Sequence, residues 1–458
     1  MTTQKVSFPE KICFGFGDVG CVVIWNVVGM FLTIYYTDSV GISAAAVAAI
    51  MLSVRIFDGF SDLVFGYVLD KTNSKLGKAR PWILWSAPFM AGFLILCFAV
   101  PESLSETAKV VYAFITYFFL SVVVYTACNL SYCALTSFIT DSLEDRASCN
   151  SIRFIMTGLL SIVLGYVTPV AQKALGWTGI TVVYGLIALV LLVLCFAICK
   201  ERVKPQERLA SEKVGLKESV DTLVHNKFFY FMLAFFVLDF INLGLTGGGG
   251  MYLARWVLKD DNLFGDLTFS VTIGQIVGAL ALPYIMNFIG GKWNAIIIGY
   301  ALFIVGYGVA GMATDTNMTA GSSEYYLMLL GNVIQSVGRG FHFVAMFAMV
   351  ADVVEYGEWK TGRRLEGATY SVTSFGFKIG IGVGGELVGL FLSMVNYDAN
   401  LVDQPESTLQ AILVANIWAP VVLSVVGLII SLLTNLDKIY PTVKKELEIR
   451  RAQRQQLV

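Results

Sequence analysis

Long apolar segments separated by short polar ones constrain this chain more than any other feature. A helix needs about 20 consecutive apolar residues to cross a membrane, and such segments recur along the whole sequence. We predict spans one to twelve at residues 12–36, 44–69, 82–100, 110–139, 152–170, 180–198, 228–253, 267–288, 294–312, 325–350, 368–395 and 409–433. The predicted fold class is therefore an all-α polytopic membrane protein with twelve transmembrane helices.

The charged residues are few and balanced in sign. They make up 14% of the chain, whereas an ordinary soluble domain has roughly 25%. The sequence has 32 Lys and Arg against 33 Asp and Glu, so it lacks the basic excess typical of a protein that binds nucleic acid. We expect membrane lipid as its surroundings and no nucleic-acid partner.

The longest polar stretch, residues 199–227, divides the predicted spans into six and six. We predict an N-terminal six-helix bundle at 1–198, a cytoplasmic linker at 199–227, a C-terminal six-helix bundle at 228–433 and a cytoplasmic tail at 434–458. Two six-helix halves joined in this way are the layout of the major-facilitator fold, whose substrate site lies near mid-membrane. On topology alone, a twelve-span protein of another role remains the alternative.

The basic residues also predict the orientation. Most Lys and Arg fall in the two terminal segments and in the loops that follow even-numbered spans. Because basic loops stay in the cytoplasm, we expect both termini to face inward in a multi-pass plasma membrane protein.

Motifs for catalysis are absent from the sequence. It contains no HExxH, no GxSxG and no P-loop, and it has 2 histidines, too few for a zinc cluster. We therefore expect no enzyme, no catalytic residues, no metal centre and no cofactor. Without a P-loop, an ion gradient is the expected energy source.

Span two carries charged residues inside the membrane, where a charged side chain is energetically unfavourable. Asp58 and Asp62 are four residues apart and lie on one helical face, with Arg55 three residues before Asp58. Two such carboxylates repel each other unless a cation or proton lies between them. The functional interpretation is a sodium or proton site. The structural one is a charge cluster in which Arg55 neutralises one carboxylate; we favour the ion site because one Arg cannot neutralise both.

Two further polar groups lie within predicted spans. Thr126 and Asn129 are three residues apart in span four, although such side chains often only hydrogen-bond between helices. Lys378 lies in apolar surroundings in span eleven and needs a carboxylate partner to remain charged. Asp58 and Asp62 are the predicted partners.

Several blocks of sequence carry a resemblance. The chain is similar to the glycoside–pentoside–hexuronide:cation symporters, a bacterial group of the major facilitator superfamily. The similar blocks are GFGDVG (15–20), YYTDSVGIS (35–43), RIFDGFSDLVFGYVLD (55–70), LGKARPW (76–82), NLSYCAL (129–135) and VADVVEYGEWKTGRRLEGATYSV (350–372). The resemblance implies alternating access and a location in the bacterial inner membrane.

The resemblance also implies roles for single residues at the cation site. Asp58 and Asp62 match the two aspartates that bind the coupling cation, and Thr126 matches a hydroxyl that assists them. Lys378 matches a lysine near these carboxylates. Lys378 and Arg55 would together couple cation binding to sugar transport. The family's usual Asn-Asp-Pro reads Ser61-Asp62-Leu63 here, so the proline kink is missing.

At the substrate site, the resemblance implies roles for Asp18, Asn129 and Arg153. Asp18 matches an acidic residue of helix one, and Arg153 matches an arginine of helix five at the sugar site. Asn129 stands where one member has a sugar-binding aspartate. Cys133 replaces an aromatic residue that often stacks on the sugar.

Three charges within spans have no counterpart in the resemblance: Asp239, Arg339 and Glu386. Arg339 would clamp a substrate carboxylate in one interpretation, close to Phe343, which lies near the family's sugar-stacking aromatic. The other interpretation pairs Arg339 with Asp239 or Glu386, as embedded charges tend to pair. We favour the ion pair.

Together these observations predict a symporter that imports a sugar or glycoside with Na⁺ or H⁺. The expected partners are that small molecule, a monovalent cation and membrane lipid, and we expect a monomer. The alternatives are a lipid or drug carrier of related fold and a non-transporting membrane sensor. The sequence leaves the sugar and the cation open.

Overall fold

A computed structural model of the chain consists of helices and the turns between them. It describes residues 6–140, 142–203, 225–313, 318–362, 366–433 and 435–456. Within these ranges no residue forms a β-strand, and the α-helices are Phe8–Val27, Ala44–Lys71, Arg80–Cys97, Glu106–Phe118, Thr126–Ile139, Leu143–Ile198, Lys227–Tyr252, Phe264–Ile289, Lys292–Gly311, Ser323–Thr361, Glu366–Met394, Glu406–Leu413, Ala419–Leu432 and Leu436–Gln456. Short π-helical turns are Val28–Leu32, Tyr35–Ser39, Phe119–Tyr125, Leu253–Val257 and Val414–Trp418, and a 3-10 turn is Asp261–Leu263.

The helices confirm the predicted number of spans. In the described part of the chain, 11 helical stretches are long and apolar enough to cross a membrane. The longest, Ser148–Ile198, has 51 residues, more than twice the roughly 20 that one crossing needs. Gly176 interrupts it with φ 69° and ψ 172°, a backbone conformation that glycine adopts without steric cost. This stretch therefore contains both span five and span six, which makes twelve.

Serine side chains cap the N-termini of several helices. The Oγ atoms of Ser43, Ser105, Ser142 and Ser322 each accept a hydrogen bond from the backbone N–H three residues later, at 3.2 to 3.4 Å. Each bond satisfies a donor that has no partner in the first turn of a helix. The polar residue before each apolar run therefore sets where the helix starts.

The first compact unit consists of Met1–Gln206, Thr246–Phe269 and Gly385–Ile412. Within it, span one packs closely on its neighbours through small residues. A Cβ atom at Gly15 would collide with the Met156 side chain, and one at Gly20 would collide with Leu192. Close packing of this kind is typical of helices in membranes.

The second compact unit consists of Glu207–Leu245, Ser270–Gly384 and Leu413–Val458. Span eleven lies against the backbone of span seven through two glycines one turn apart. A Cβ atom at Gly380 would collide with Phe240 and with the carbonyl oxygen of Val237, and one at Gly384 would collide with the carbonyl oxygen of Ile241. These glycines fix the distance between the two helices.

The predicted domain boundaries stay a prediction. Residues 204–224, which form most of the predicted linker, lie outside the described residues. Spans seven, eight, eleven and twelve each contribute residues to both compact units. The division into two six-helix bundles is therefore not tested by these units.

Candidate functional site

The first compact unit contains a cluster of oxygen atoms around Asp58. The Asp58 side chain has no exposed surface, and Thr126 Oγ1 donates a hydrogen bond to Asp58 Oδ1 at 3.1 Å. Ser61 Oγ lies 3.0 Å from Thr126 Oγ1 and donates to the Asp58 carbonyl oxygen at 2.8 Å. A carboxylate, two hydroxyls and a carbonyl thus converge in the middle of span two. Oxygen ligands of this kind suit a hard cation.

A π-helical turn precedes Thr126 and determines its position. The turn covers Phe119–Tyr125, and Thr126 begins the α-helix that follows. Thr126 Oγ1 also lies 3.4 Å from the Ser121 carbonyl oxygen, five residues back. Such wide turns inside helices are frequent at functional sites, because they change which side chains face a neighbouring helix.

Asp62, the second predicted cation ligand, lies one turn after Asp58 on the continuous helix Ala44–Lys71 and is half-buried. Because residues four apart lie on the same face of a helix, Asp62 lies beside the oxygen cluster.

Arg55 is held by aromatic rings more than by hydrogen bonds. Its guanidinium carbon is 4.2 Å from the centre of the Trp25 ring and 6.0 Å from that of Tyr117. Arg55 Nη1 is 3.7 Å from Asp58 Oδ2, longer than the 2.7–2.9 Å typical of a charge-assisted hydrogen bond. The pair predicted as the structural alternative is thus present but loose.

Glu386 of span eleven belongs to the same part of the first unit. The side chain is buried, with 8% exposed, and span eleven packs against span two one turn further along, where a Cβ atom at Gly389 would collide with Ala48. From the sequence, Asp239 and Glu386 were the two alternative partners predicted for Arg339.

Asp18 and Arg153, two of the predicted substrate residues, face each other. Arg153 Nε is 3.7 Å from Asp18 Oδ2, and the two side chains are 18% and 12% exposed. The guanidinium lies 5.8 Å from the Tyr132 ring, whose hydroxyl donates to the Phe14 carbonyl oxygen at 3.0 Å. Asn129, the third, is half-buried one turn before Tyr132 and Cys133. An aromatic residue therefore lines this region even though Cys133 replaces the expected one.

The second compact unit holds Arg339, and the ion pair predicted for it is wrong. Arg339 Nη2 donates to Tyr307 Oη at 3.1 Å and to Gln335 Oε1 at 3.3 Å. Among the described residues it forms no ion pair within 4.0 Å. The physical reason is that Asp239 is bonded to His342. The neutral side chains of Tyr307 and Gln335 accept the hydrogen bonds of Arg339 Nη2. The role of Arg339 as a substrate clamp stays a prediction.

Asp239 is bonded to His342. The ring atom Nε2 lies 2.8 Å from the Ile296 carbonyl oxygen, which can only accept, so Nε2 carries a hydrogen. Nδ1 lies 2.5 Å from Asp239 Oδ2, within hydrogen-bonding distance. Both side chains are buried. From the sequence, His342 counted only against a zinc cluster, and no partner was predicted for it.

Phe343 and Lys378 also lie in the second unit. The Phe343 ring centre is 5.0 Å from that of Phe347 on the same helix. Lys378 is buried, with 9% exposed, in the helix Glu366–Met394. Its predicted partnership with Asp58 or Asp62 stays a prediction.

Among the described residues, no three His, Cys, Asp or Glu side chains lie close enough together to hold a metal ion. A cation at Asp58 would therefore need hydroxyl or carbonyl oxygens as further ligands. Ser61 supplies one, which was not predicted from the sequence. Its signal was the spacing, since Ser61 is three residues after Asp58 on the same helical face.

Comparisons with known proteins identify the family. The model of the family described as "MFS/sugar transport protein" matches residues 13–438. The chain is 32% identical to an uncharacterized symporter, YnaJ of Bacillus subtilis, over 98% of this chain and 96% of that protein. It is 30% identical to an isoprimeverose transporter of Lactiplantibacillus pentosus, over 98% and 93%. It is 31% identical to a glucuronide carrier protein homolog of Escherichia coli, over 88% and 87%.

Solved structures show the same fold. A bacterial homologue of the human drug peptide transporters PepT1 and PepT2 aligns with a TM-score of 0.64 at 13% identity, over 96% of this chain and 100% of that one. The nucleoside transporter NupG aligns with a TM-score of 0.61 at 15% identity, over 92% and 98%. The twelve-helix major-facilitator fold is thereby confirmed.

Proposed function

This chain belongs to the family of MFS/sugar transport proteins, and from that premise we propose that it imports a sugar or glycoside together with Na⁺ or H⁺. It is a multi-pass membrane transporter and not an enzyme. The names of its relatives include symporters, an isoprimeverose transporter and a glucuronide carrier homolog. The proposed substrate is accordingly a glycoside, a pentoside or a hexuronide.

The oxygen cluster at Asp58 is the observation that carries the proposal. A fully buried carboxylate in a membrane span is expensive unless a cation, a proton or a donor compensates it. Asp58 has hydroxyls of Thr126 and Ser61 beside it and Asp62 on the next turn. We assign Asp58, Asp62 and Thr126 to the coupling cation.

Asp18, Asn129 and Arg153 form the proposed substrate site in the first unit. Carboxylate, amide and guanidinium groups together would supply both acceptors and donors for sugar hydroxyls. The 3.7 Å separation of Arg153 and Asp18 leaves their polar atoms able to bond a hydroxyl of the substrate. Phe343 and Arg339 are further residues that we propose to bind the substrate.

Arg55 and Lys378 are the proposed coupling residues. In alternating access, cation and sugar bind near mid-membrane and the repeats then rock around them. Coupling requires that each ligand raise the affinity for the other by the same factor. Arg55 influences that factor, because its guanidinium faces the Asp58 carboxylate that the ion would use; the same role is proposed for Lys378 from the resemblance.

The proposal includes the setting of the protein. Both termini face the cytoplasm of a bacterial inner membrane, as the distribution of Lys and Arg favours. The protein works as a monomer surrounded by lipid and needs no cofactor beyond the coupling ion.

The test is the melting temperature of the detergent-purified protein with neutral glycosides, pentosides and hexuronides, each with and without sodium and at several pH values. A ligand that binds only the folded state raises the melting temperature by mass action. We expect one class of sugar to do so, and sodium or protons to enlarge its effect.

A response limited to hexuronides would favour Arg339 as a carboxylate clamp, whereas a response to neutral glycosides would assign Arg339 to the hydrogen bonds with Tyr307 and Gln335 alone. If lipids or drugs raise the melting temperature and no sugar does, the proposed function is wrong. The matched control is Asp58→Asn, in which the sugar's effect should no longer depend on the cation.

A further inference from the structure

Spans seven, nine and ten enclose a buried imidazole in the second compact unit. The side chain of His342 is 1% exposed and that of Asp239 is 8% exposed. The His342 ring packs against two aromatic rings of span nine, with its centre 4.3 Å from that of Tyr300 and 4.9 Å from that of Phe303. A Cβ atom at Gly299 would collide with the imidazole, so the glycine leaves the space that the ring occupies. The imidazole is therefore held in place by packing as well as by hydrogen bonds.

The two ring nitrogens of His342 face two different acceptors. Nε2 lies 2.8 Å from the Ile296 carbonyl oxygen and carries the hydrogen of that bond. Nδ1 faces Asp239 Oδ2 at 2.5 Å. An ionised carboxylate only accepts hydrogen bonds, so a hydrogen bond at this contact needs a second hydrogen, either on Nδ1 or on Oδ2. The hydrogen-bonded form of the pair thus holds one proton more than the form with an ionised Asp239 and a neutral His342.

Loss of that proton would make the contact unfavourable. The lone pair of Nδ1 would then face an anionic oxygen, and such a repulsion is strong where water is excluded. Release of the proton would therefore separate the two side chains, which belong to spans seven and ten. Because both side chains are buried, water reaches the pair only when the surrounding helices move. Exchange of the proton and movement of the helices are thereby linked.

Charges of opposite sign act on this proton. The Asp239 carboxylate favours a protonated imidazole. Arg339 lies three residues before His342 on the same helical face, and its guanidinium carbon is 5.9 Å from the Phe303 ring that also contacts the imidazole. Arg339 keeps its charge and therefore favours the proton-free pair, whose single negative charge it offsets. The Tyr300 phenol, which is the titratable group of span nine at this ring, brings no charge at neutral pH.

We propose that Asp239 and His342 form a proton-binding site that takes up and releases one proton in each transport cycle, as a site additional to the oxygen cluster at Asp58. The proton comes from water and returns to water, and no other bond forms or breaks. The link to transport rests on the proposed function, whereas binding of the proton does not. The structural alternative is a pair that keeps its proton at every pH and only joins spans seven and ten.

The test is the protonation of His342 Nδ1, read from the ¹⁵N NMR signals of the purified protein with labelled histidine and without any sugar. The sequence has 2 histidines, so His225→Gln, at an exposed position, assigns the remaining signals to His342. Raising the pH from about 5 to about 8, the range in which an imidazole changes its charge, should remove the shared proton and change the Nδ1 signal, while Nε2 keeps its hydrogen. A constant Nδ1 signal over this range would overturn the inference.

Two variants should move this change in opposite directions. Asp239→Asn removes the charge that favours the proton, so the change should occur at least about one pH unit lower. Arg339→Gln removes the charge that opposes the proton, so the change should occur at a higher pH, and Arg339→Lys should restore the behaviour of the wild type. An unaltered titration in Asp239→Asn would show that the carboxylate does not share the proton. If a variant does not fold, the titration of the wild type still decides.

The link to transport is tested by sugar uptake into proteoliposomes at a fixed sodium concentration, with and without a pH gradient. The wild type and the control His225→Gln should respond to the gradient, and His342→Gln should lose that response because an amide takes up no proton. An equal response in His342→Gln would overturn the inference, as would sugar transport by a wild type whose Nδ1 signal stays constant. A wild type that changes its Nδ1 signal but carries no sugar would instead refute the proposed function.

Discussion

Arg255 Nη1 donates to Asp38 Oδ2 at 2.8 Å, although 217 residues separate the two along the chain. Asp38 also accepts hydrogen bonds from Thr37 at 2.7 Å and from Tyr397 at 2.8 Å. Burial and then the Asp38 charge raise the pKa of the Tyr397 hydroxyl, so this hydroxyl keeps its proton and donates. The contacts join the ends of spans one, seven and eleven within the first compact unit.

Replacing Arg255 should therefore destabilise the protein. Arg255→Gln leaves Asp38, whose side chain is 6% exposed, without a cation, and we expect a loss of about 2–3 kcal/mol in the free energy of unfolding. Asp261→Asn is the matched control, because it removes the other carboxylate bound to Arg255 and keeps the Asp38 pair. Unfolding in mixed micelles measures both. Equal losses in the two variants would show that the stability does not depend specifically on the Arg255–Asp38 pair.

A side chain at Gly384 should disrupt the packing of span eleven. Gly384→Leu places atoms against the span seven backbone at Ile241, and we expect a loss of more than about 2 kcal/mol or failure to fold, since overpacking typically costs 1–3 kcal/mol. Gly385→Ala is the control, because no described atom lies within 4 Å of a Cβ built there. Gel filtration and melting temperature report the outcome. Normal stability of Gly384→Leu would refute the close contact.

Breaking the Asp239–His342 pair from one side should cost more than removing both partners. His342→Leu leaves a buried carboxylate, and loss of one partner of a buried pair costs about 3–5 kcal/mol. The double variant Asp239→Leu/His342→Leu leaves no charge and should recover part of that loss. The measurement is a double-mutant cycle of unfolding free energies. Additive losses would contradict the pairing.

Arg153→Gln should weaken substrate binding by about 10- to 100-fold, since hydrogen bonds to charged groups are worth about 1.5–3 kcal/mol. The melting temperature of the ligand-free protein should change only slightly, because Arg153 is 18% exposed and its pair with Asp18 is 3.7 Å long. The measurement is the sugar concentration that half-maximally stabilises the variant. Lys173→Gln, at an exposed position, is the control. Wild-type sugar affinity in Arg153→Gln would remove Arg153 from the site.

The sequence was sufficient to predict the helices, because apolar length and the residues that begin and end a helix act locally. The break at Gly176 lies between the predicted spans five and six, and Ser43 and Ser322 lie directly before helices of spans two and ten. Relations along one helix were predictable for the same reason. The spacing of Arg55 and Asp58 indicated the pair that the structure contains.

Contacts between helices were harder to predict, because they depend on how each helix is rotated and how closely it packs. The charge of Arg339 alone suggested Asp239 or Glu386 as a partner. His342 is bonded to Asp239, and the neutral side chains of Tyr307 and Gln335 bond Arg339 instead. To decide which carboxylate pairs with Arg339, one must know how spans seven, ten and eleven pack together. The spacing of residues within one helix does not contain that information.

The most direct test of the proposed function is glycoside accumulation in proteoliposomes under an imposed sodium or proton gradient. The wild-type protein should accumulate the sugar found in the thermal screen above its external concentration only while the gradient persists. Asp58→Asn should equilibrate the sugar or fail to carry it, without accumulation. Accumulation by Asp58→Asn, or by the wild type without any gradient, would contradict the account.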